Sequence, residues 1–189
     1  MLWIKQRNST SNHGWFDTVR GAGKSLESNT NTQERTQSDS VTSFDSSGFS
    51  LGDNTEAGPD VNYDDGGTFV AWCWKAGGAA VTNTDGTISA QVSANVEAGF
   101  SIIKYTASAS GGGTFGHGLS KKPEIQWVKN LDASENWCVQ YTSKSPVQSG
   151  SNDNYYMFLN TTAARGDTSE YFTATTGKSP QGSGSNCLL

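Results

Sequence analysis

The chain has 189 residues, of which 33% are hydrophobic and only 16% charged, with 22 glycines and a formal net charge of −5. That length can bury a real core, and the wealth of Gly, Ser, Thr and Asn suits short strands joined by many turns, because glycine supplies positive φ and the small polar side chains hydrogen-bond their own backbone. The scattered Lys and Arg residues offer nucleic acid no continuous basic stripe, and no apolar run approaches the roughly 20 residues of a membrane-spanning helix.

Leu2-Trp3-Ile4-Lys5-Gln6-Arg7 alternates apolar and polar residues, the period-two signature of a strand. The chain enters it directly, without the basic and apolar regions of a secretory signal peptide. A polar loop over residues 8–14 leads to a second strand over residues 15–20, which Gly21-Ala22-Gly23 ends. Residues 24–40 carry almost no apolar anchors and are expected to form a surface excursion. Residues 41–44 and 49–51 read as short strands around the turn Asp45-Ser46-Ser47-Gly48.

Gly66-Gly67 then open the most apolar stretch, Phe69-Val70-Ala71-Trp72-Cys73-Trp74. An unbroken apolar run of this length predicts a strand covered on both faces, and it is the expected central strand of a sandwich. Phe69, Trp72 and Trp74, with Trp3 and Trp127, form the predicted core. Residues 76–98 read as a connector with one weak strand near Ile88, after the hairpin signal Asp85-Gly86. Further strands are expected over residues 100–105, 125–129, 137–141, 155–159 and 171–173, followed by a Ser/Gly-rich tail.

An internal repeat is visible. Trp3-Ile4-Lys5-Gln6, a polar loop, Trp15-Phe16 and then Leu26 with Asn29-Thr30 match Trp127-Val128-Lys129-Asn130, a polar loop, Trp137-Cys138 and then Leu159 with Asn160-Thr161. The chain thus divides into a first partial sandwich unit (1–75), a connector (76–98), a second partial unit (99–176) and a flexible or docking tail (177–189). The first copy is followed by the Trp-Cys-Trp strand and the second has no equivalent. Either the halves complete one another in a single sandwich or a neighbouring chain supplies the missing strands, since an open sheet edge is a template for pairing.

Several blocks together resemble a repeated module of marine bacteriophage virion proteins: Trp3-Ile4-Lys5-Gln6-Arg7-Asn8, residues 16–24, Thr42-Ser43-Phe44, Gly48-Phe49-Ser50-Leu51-Gly52, Phe69-Val70-Ala71-Trp72-Cys73-Trp74-Lys75, Ser93-Ala94-Asn95, Gly99-Phe100-Ser101-Ile102, Gly116-His117-Gly118-Leu119 and Pro123-Glu124, thinning after Lys129 to Asn160-Thr161-Thr162. The resemblance implies an all-β fold, an antiparallel β-sandwich of the concanavalin-A-like jelly-roll type, displayed on a phage particle as a tail fibre, surface appendage or decoration protein. It further implies virion proteins and other copies of the chain as partners. Release in such a particle would bring the protein outside the cell without a leader.

Chemistry-bearing residues are few. His13 sits in a polar loop and His117 between two glycines, and neither neighbours a nucleophile elbow. Asp17 and Glu124 are the acids beside strong strands, expected to be solvated rather than paired for glycoside hydrolysis. Asp53, Asp60, Asp64 and Asp65 crowd one loop whose oxygen density suits calcium, although an acidic solvated turn is the simpler expectation. Trp15, Trp137, Tyr141, Tyr155 and Tyr156 exceed what one small core needs and are the candidates for stacking on a host glycan or a partner. Arg165-Gly166-Asp167 is read as a chance tripeptide. No cofactor is expected. Structural assembly leads, with a carbohydrate-binding receptor module as the alternative and a glycan-degrading enzyme behind both.

Overall fold

The computed structural model describes residues 1–63, 66–107, 113–141, 155–164, 166–167 and 186–188. In chain order the strands are β1 (Leu2–Gln6), β2 (Gly14–Phe16), β3 (Lys24–Glu27), β4 (Arg35–Thr36), β5 (Val41–Phe44), β6 (Phe49–Leu51), β7 (Phe69–Cys73), β8 (Val81–Asn83), β9 (Ala90–Asn95), β10 (Phe100–Thr106), β11 (Ile125–Asn130), β12 (Cys138–Tyr141), β13 (Tyr155–Phe158), β14 (Gly166–Asp167) and β15 (Asn186–Leu188). No helix occurs among the described residues, so none is long and apolar enough to cross a membrane. The strand expected over residues 171–173 lies outside the described residues, as does all of the tail except β15.

All strand pairs among the described residues are antiparallel. One sheet has the order β4-β3-β2-β1-β7, a second the order β14-β13-β12-β11-β15-β10-β9-β8, and β5 with β6 forms a separate hairpin. The two large sheets pack face to face: Trp15 and Leu26 of the first share a buried cluster with Ile102, Leu131 and Trp137, which belong to the second sheet and its loops. The indole N–H of Trp137 donates across this layer to the carbonyl of Glu27 at 2.8 Å. The fold class is therefore all-β, in the layered arrangement of a β-sandwich.

The outer faces are also covered. Leu2, Ile4 and Phe16 on the first sheet pack with Val41 and Val61. On the second, Val92, Ile103, Tyr105, Val128 and Cys138 form another cluster, against which Phe115 packs, its ring 4.5 Å from that of Tyr105. Period-two alternation explains both: Leu2 and Ile4 point to one side of β1 while Trp3 points to the other.

Four sequence expectations are corrected here. Residues 24–40 are more than a surface excursion, because β3 is an interior strand whose single apolar residue, Leu26, is 1% exposed. The connector carries two strands, β8 and β9. The second strand ends at Phe16 because Asp17, 0% exposed, folds the chain into a turn: one carboxylate oxygen accepts the Val19 and Arg20 amides at 3.0 and 2.9 Å, and the other accepts the Arg20 guanidinium. Asp17 is thus a buried structural ion rather than a solvated one. Arg20 also donates to the Trp15 carbonyl and to Glu34, so neither charge is left uncompensated in a dry site.

Candidate functional site

The aromatic residues converge where the two sheets meet. Trp72, Trp3 and Trp15 are cross-strand neighbours on β7, β1 and β2, with ring centroids 5.3 and 5.7 Å apart, and Trp15 continues to Trp127 and Trp137 of the second sheet at 5.2 Å each. These separations lie within the range of favourable aromatic pairing. One end of the array is buried and the other is wet: Trp137 is 1% exposed, Trp15 4% and Trp72 45%.

This placement overturns two expectations about single residues. Trp15 and Trp137, taken as candidate surface stackers, are core, because both face the opposing sheet. Trp72 and Trp74, taken as core, are exposed at 45% and 37%. The reason is lateral: among the described residues β7 pairs with β1 alone and ends its sheet, so Ala71, Trp72 and Cys73 lie beside an edge with no described neighbour. A run of apolar residues does not say whether a strand has one neighbour or two. Trp3, Phe69 and Trp127 are half-buried, and Tyr156 is half-buried against the outer cluster of the second sheet. Of Tyr141 and Tyr155 only the backbone is described, in β12 and β13.

A cavity of about 750 Å³ opens beside the buried end of the array. Its apolar wall holds Trp15, Trp127, Trp137, Phe100 and Ile102, while Glu97, Lys121, Lys122 and Glu124 border it with charge of both signs. Two polar atoms on residues of this wall have no hydrogen-bond partner, the indole N–H of Trp15 and the hydroxyl of Ser101. Both atoms are themselves buried, where an unmet polar group costs about 1–3 kcal/mol. Nothing local in the sequence marks Ser101 or Ile102 as cavity residues.

The remaining candidates are engaged in structure. His117 lies at the cavity, and its Nδ1 accepts the Leu119 amide at 3.0 Å. Of its flanking glycines, Gly118 has a φ of +70°, which favours glycine, and a Cβ at Gly116 would meet the Asn83 side chain. His13 lies beside Trp3 with ring centroids 6.0 Å apart, and its pKa is lowered below the usual histidine value by partial burial and then by Lys5.

In the acidic loop, Asp60 caps the Tyr63 amide at 3.0 Å, Asp53 is exposed, and Asp64 and Asp65 lie outside the described residues. Among the described residues no group of three or more His, Cys, Asp or Glu side chains could hold a metal ion. The loop is instead tied down by Asp39, which accepts the Thr55 amide and hydroxyl and the Glu56 amide, and by Glu56, which accepts the Ser38 amide and hydroxyl. Desolvation acts to raise the Asp39 pKa, but these donors outweigh it and leave it below the usual value. Gly166-Asp167 forms β14 against β13, and Arg165 lies outside the described residues.

The molecule is thus an all-β protein with a tryptophan seam between its sheets and one exposed aromatic edge. The chain belongs to the family DUF7483, a domain of unknown function, whose model matches residues 1–186. No curated protein and no solved structure matches it.

Proposed function

We propose that this chain is a non-enzymatic structural protein of a bacteriophage virion, a concanavalin-A-like module at the particle surface that assembles with copies of itself or with other virion subunits. The observation that carries this reading is the β7 edge. A strand end-on to solvent with Ala71, Trp72, Cys73 and Trp74 all exposed is the kind of edge that natural sheets normally blunt with charge, proline or a covering loop. Here it is left apolar, which favours a partner that covers it. The virion assignment draws on the sequence blocks that resemble phage modules. A non-enzymatic role agrees with the acids, since both carboxylate oxygens of Asp17 are taken by hydrogen bonds while Glu124 stands exposed at the cavity rim.

Size-exclusion chromatography with light scattering, and electron microscopy of the purified chain mixed with phage particles, test this. The chain should form a defined oligomer or decorate particles, and Trp72→Lys should abolish that while leaving the melting temperature nearly unchanged. A chain that stays monomeric at high concentration and ignores particles sinks the proposal. A carbohydrate-binding module is the second reading, favoured by the tryptophan-walled cavity; a glycan array that binds nothing removes it.

A further inference from the structure

Among the described residues the two large sheets end in four strands, and three of these are short. β4, β8 and β14 have two, three and two residues, and β4 and β14 each carry a charge, Arg35 and Asp167. Brevity and charge are how natural sheets keep an edge from pairing. The fourth, β7, has five residues, lies in a stretch without charge from Gly66 to Trp74, and is exposed throughout Ala71, Trp72, Cys73 and the following Trp74.

The bonds to β1 fix which backbone groups of β7 face outward. The Trp74 amide donates to the Met1 carbonyl at 2.9 Å and the Arg7 amide to the Thr68 carbonyl at 2.6 Å, in the register that sets Trp72 opposite Trp3. Hydrogen-bonded and non-bonded pairs alternate along an antiparallel ladder, so the N–H and C=O groups of Val70, Trp72 and Trp74 turn toward β1. Those of Phe69, Ala71 and Cys73 turn away from it.

The second copy of the repeat shows that a strand fits on that side. The two copies correspond through their hydrogen bonds. Lys5 donates to the carbonyls of Gln6 and Ser9, and Lys129 to those of Asn130 and Ala133. Asn29 pairs with Asn12 and caps the His13 amide, as Asn160 pairs with Asn136 and caps the Trp137 amide. β11 is therefore the counterpart of β1, and β15, which pairs with β11 as β7 pairs with β1, that of β7. On the far side of β15 runs β10, antiparallel to it.

We propose that the far side of β7 takes the β7 of a second copy of this chain, antiparallel, about a two-fold axis through Ala71. This register uses every outward group of the strand: Phe69 pairs with Cys73 of the second copy, Ala71 with Ala71 and Cys73 with Phe69, about six N–H···O bonds at two per pair. A shift by two residues loses one of the three pairs within β7, and a shift by one sets outward groups against inward ones. The faces also match. Val70 meets Trp72 of the second copy on the seam side, an aromatic–β-branched pair, and the two Trp72 residues become diagonal neighbours about 7–8 Å apart, within reach of aromatic rings. The seam from Trp137 through Trp15 and Trp3 to Trp72 then runs on across the axis.

Self-pairing is favoured over the other edges because it alone matches β7 in length and sets no charge against it; Lys75 falls opposite Gly67. A two-fold contact closes on itself, giving a dimer rather than a fibre. The inference rests on the assembly reading and names its partner and axis.

A charge exchange on the axis tests it. Ala71 is exposed on its own chain, so Ala71→Lys and Ala71→Asp should leave the melting temperature nearly unchanged, yet in the pair each substituted residue meets its own copy. Sedimentation equilibrium should show the wild-type chain dimerising and each variant alone doing so about tenfold or more weakly. An equimolar mixture of the two variants should restore a dimer, and native mass spectrometry should find one chain of each kind in it. Followed by NMR, the Phe69, Ala71 and Cys73 amides should exchange fast in the dilute chain and slowly in the dimer. Oxidation should cross-link the double variant Ala71→Cys/Cys73→Ser, because a hydrogen-bonded pair brings its Cα atoms to about 5.5 Å.

A chain that stays monomeric at millimolar concentration, a mixture no tighter than either variant alone, or outward amides already slow in the dilute chain overturn the proposal. So does oxidation that joins native chains through Cys73 and spares the double variant. Oligomers or decorated particles that persist in both charge variants keep the assembly reading and defeat the axis. A dimer with the full charge signature that leaves phage particles bare keeps the axis and counts against the virion assignment.

Discussion

Beside β1 lies the five-residue strand β7, whose far edge has no partner among the described residues; beside β11 lies the three-residue strand β15, which β10 flanks in turn. The two hairpin units share their turns, lysines and asparagine caps, yet the first sits next to a sheet edge and the second in a sheet interior. The difference teaches that a residue's environment follows from its strand's lateral neighbours more than from its own local sequence. Lys5 is half-buried where its counterpart Lys129 is 0% exposed, and Cys73 is exposed where Cys138 is 1% exposed.

The sharpest way to break this comparison is to truncate one tryptophan from each side. Trp137→Ala removes a fully buried ring and its hydrogen bond to Glu27, and should cost about 3–5 kcal/mol in urea denaturation. Trp72→Ala, at the open edge, should cost about 1 kcal/mol or less and act on association instead. Equal losses would show that β7 is covered in the isolated chain.

The paired lysines sharpen it further. Lys129→Met leaves the Asn130 and Ala133 carbonyls without their ammonium donor in a dry site, a loss of about 1–3 kcal/mol. Lys5→Met should cost less than about 1 kcal/mol, because water reaches the first turn and can replace the donor. Denaturation midpoints of the two variants give the ratio directly, and a larger loss at Lys5 would reverse the assignment of edge and interior.

The smallest effect is expected at the thiols. Burial pushes the Cys138 pKa up to about 12. The folded state therefore holds the Cys138 proton after the unfolded chain has released it. Its contribution to stability is complete below the ordinary thiol range and is lost as pH rises from about 9 toward about 12. Cys138→Ala should flatten that alkaline limb. Peptide mapping after a brief iodoacetamide pulse should find Cys73 modified in the native protein and Cys138 only after unfolding.

Much of the strand order was legible. Alternation in Leu2-Trp3-Ile4 and the apolar runs near Phe100 and Ile125 mark β1, β10 and β11, and the Asp45–Gly48 turn marks the β5–β6 hairpin. The repeat was legible too, although its register was not. Matching tryptophans pairs Trp137 with Trp15, whereas the hydrogen bonds place Trp137 at the station of His13. β3 escaped notice because an interior strand can be built from Ser25, Glu27 and one leucine when its polar groups find partners: Glu27 accepts from Asn12 and Thr30. Nothing in such a segment advertises burial.

By itself the sequence determined the class of the protein, because period-two alternation and dense turn chemistry leave room for strands and little else. It also determined that one unit occurs twice with unequal surroundings. Only the tertiary structure decided which tryptophans are hidden and which are bare, and which strands lie side by side. Those outcomes depend on pairings between residues as far apart as Trp3 and Trp72 or Lys104 and Leu188, and no local pattern carries that information.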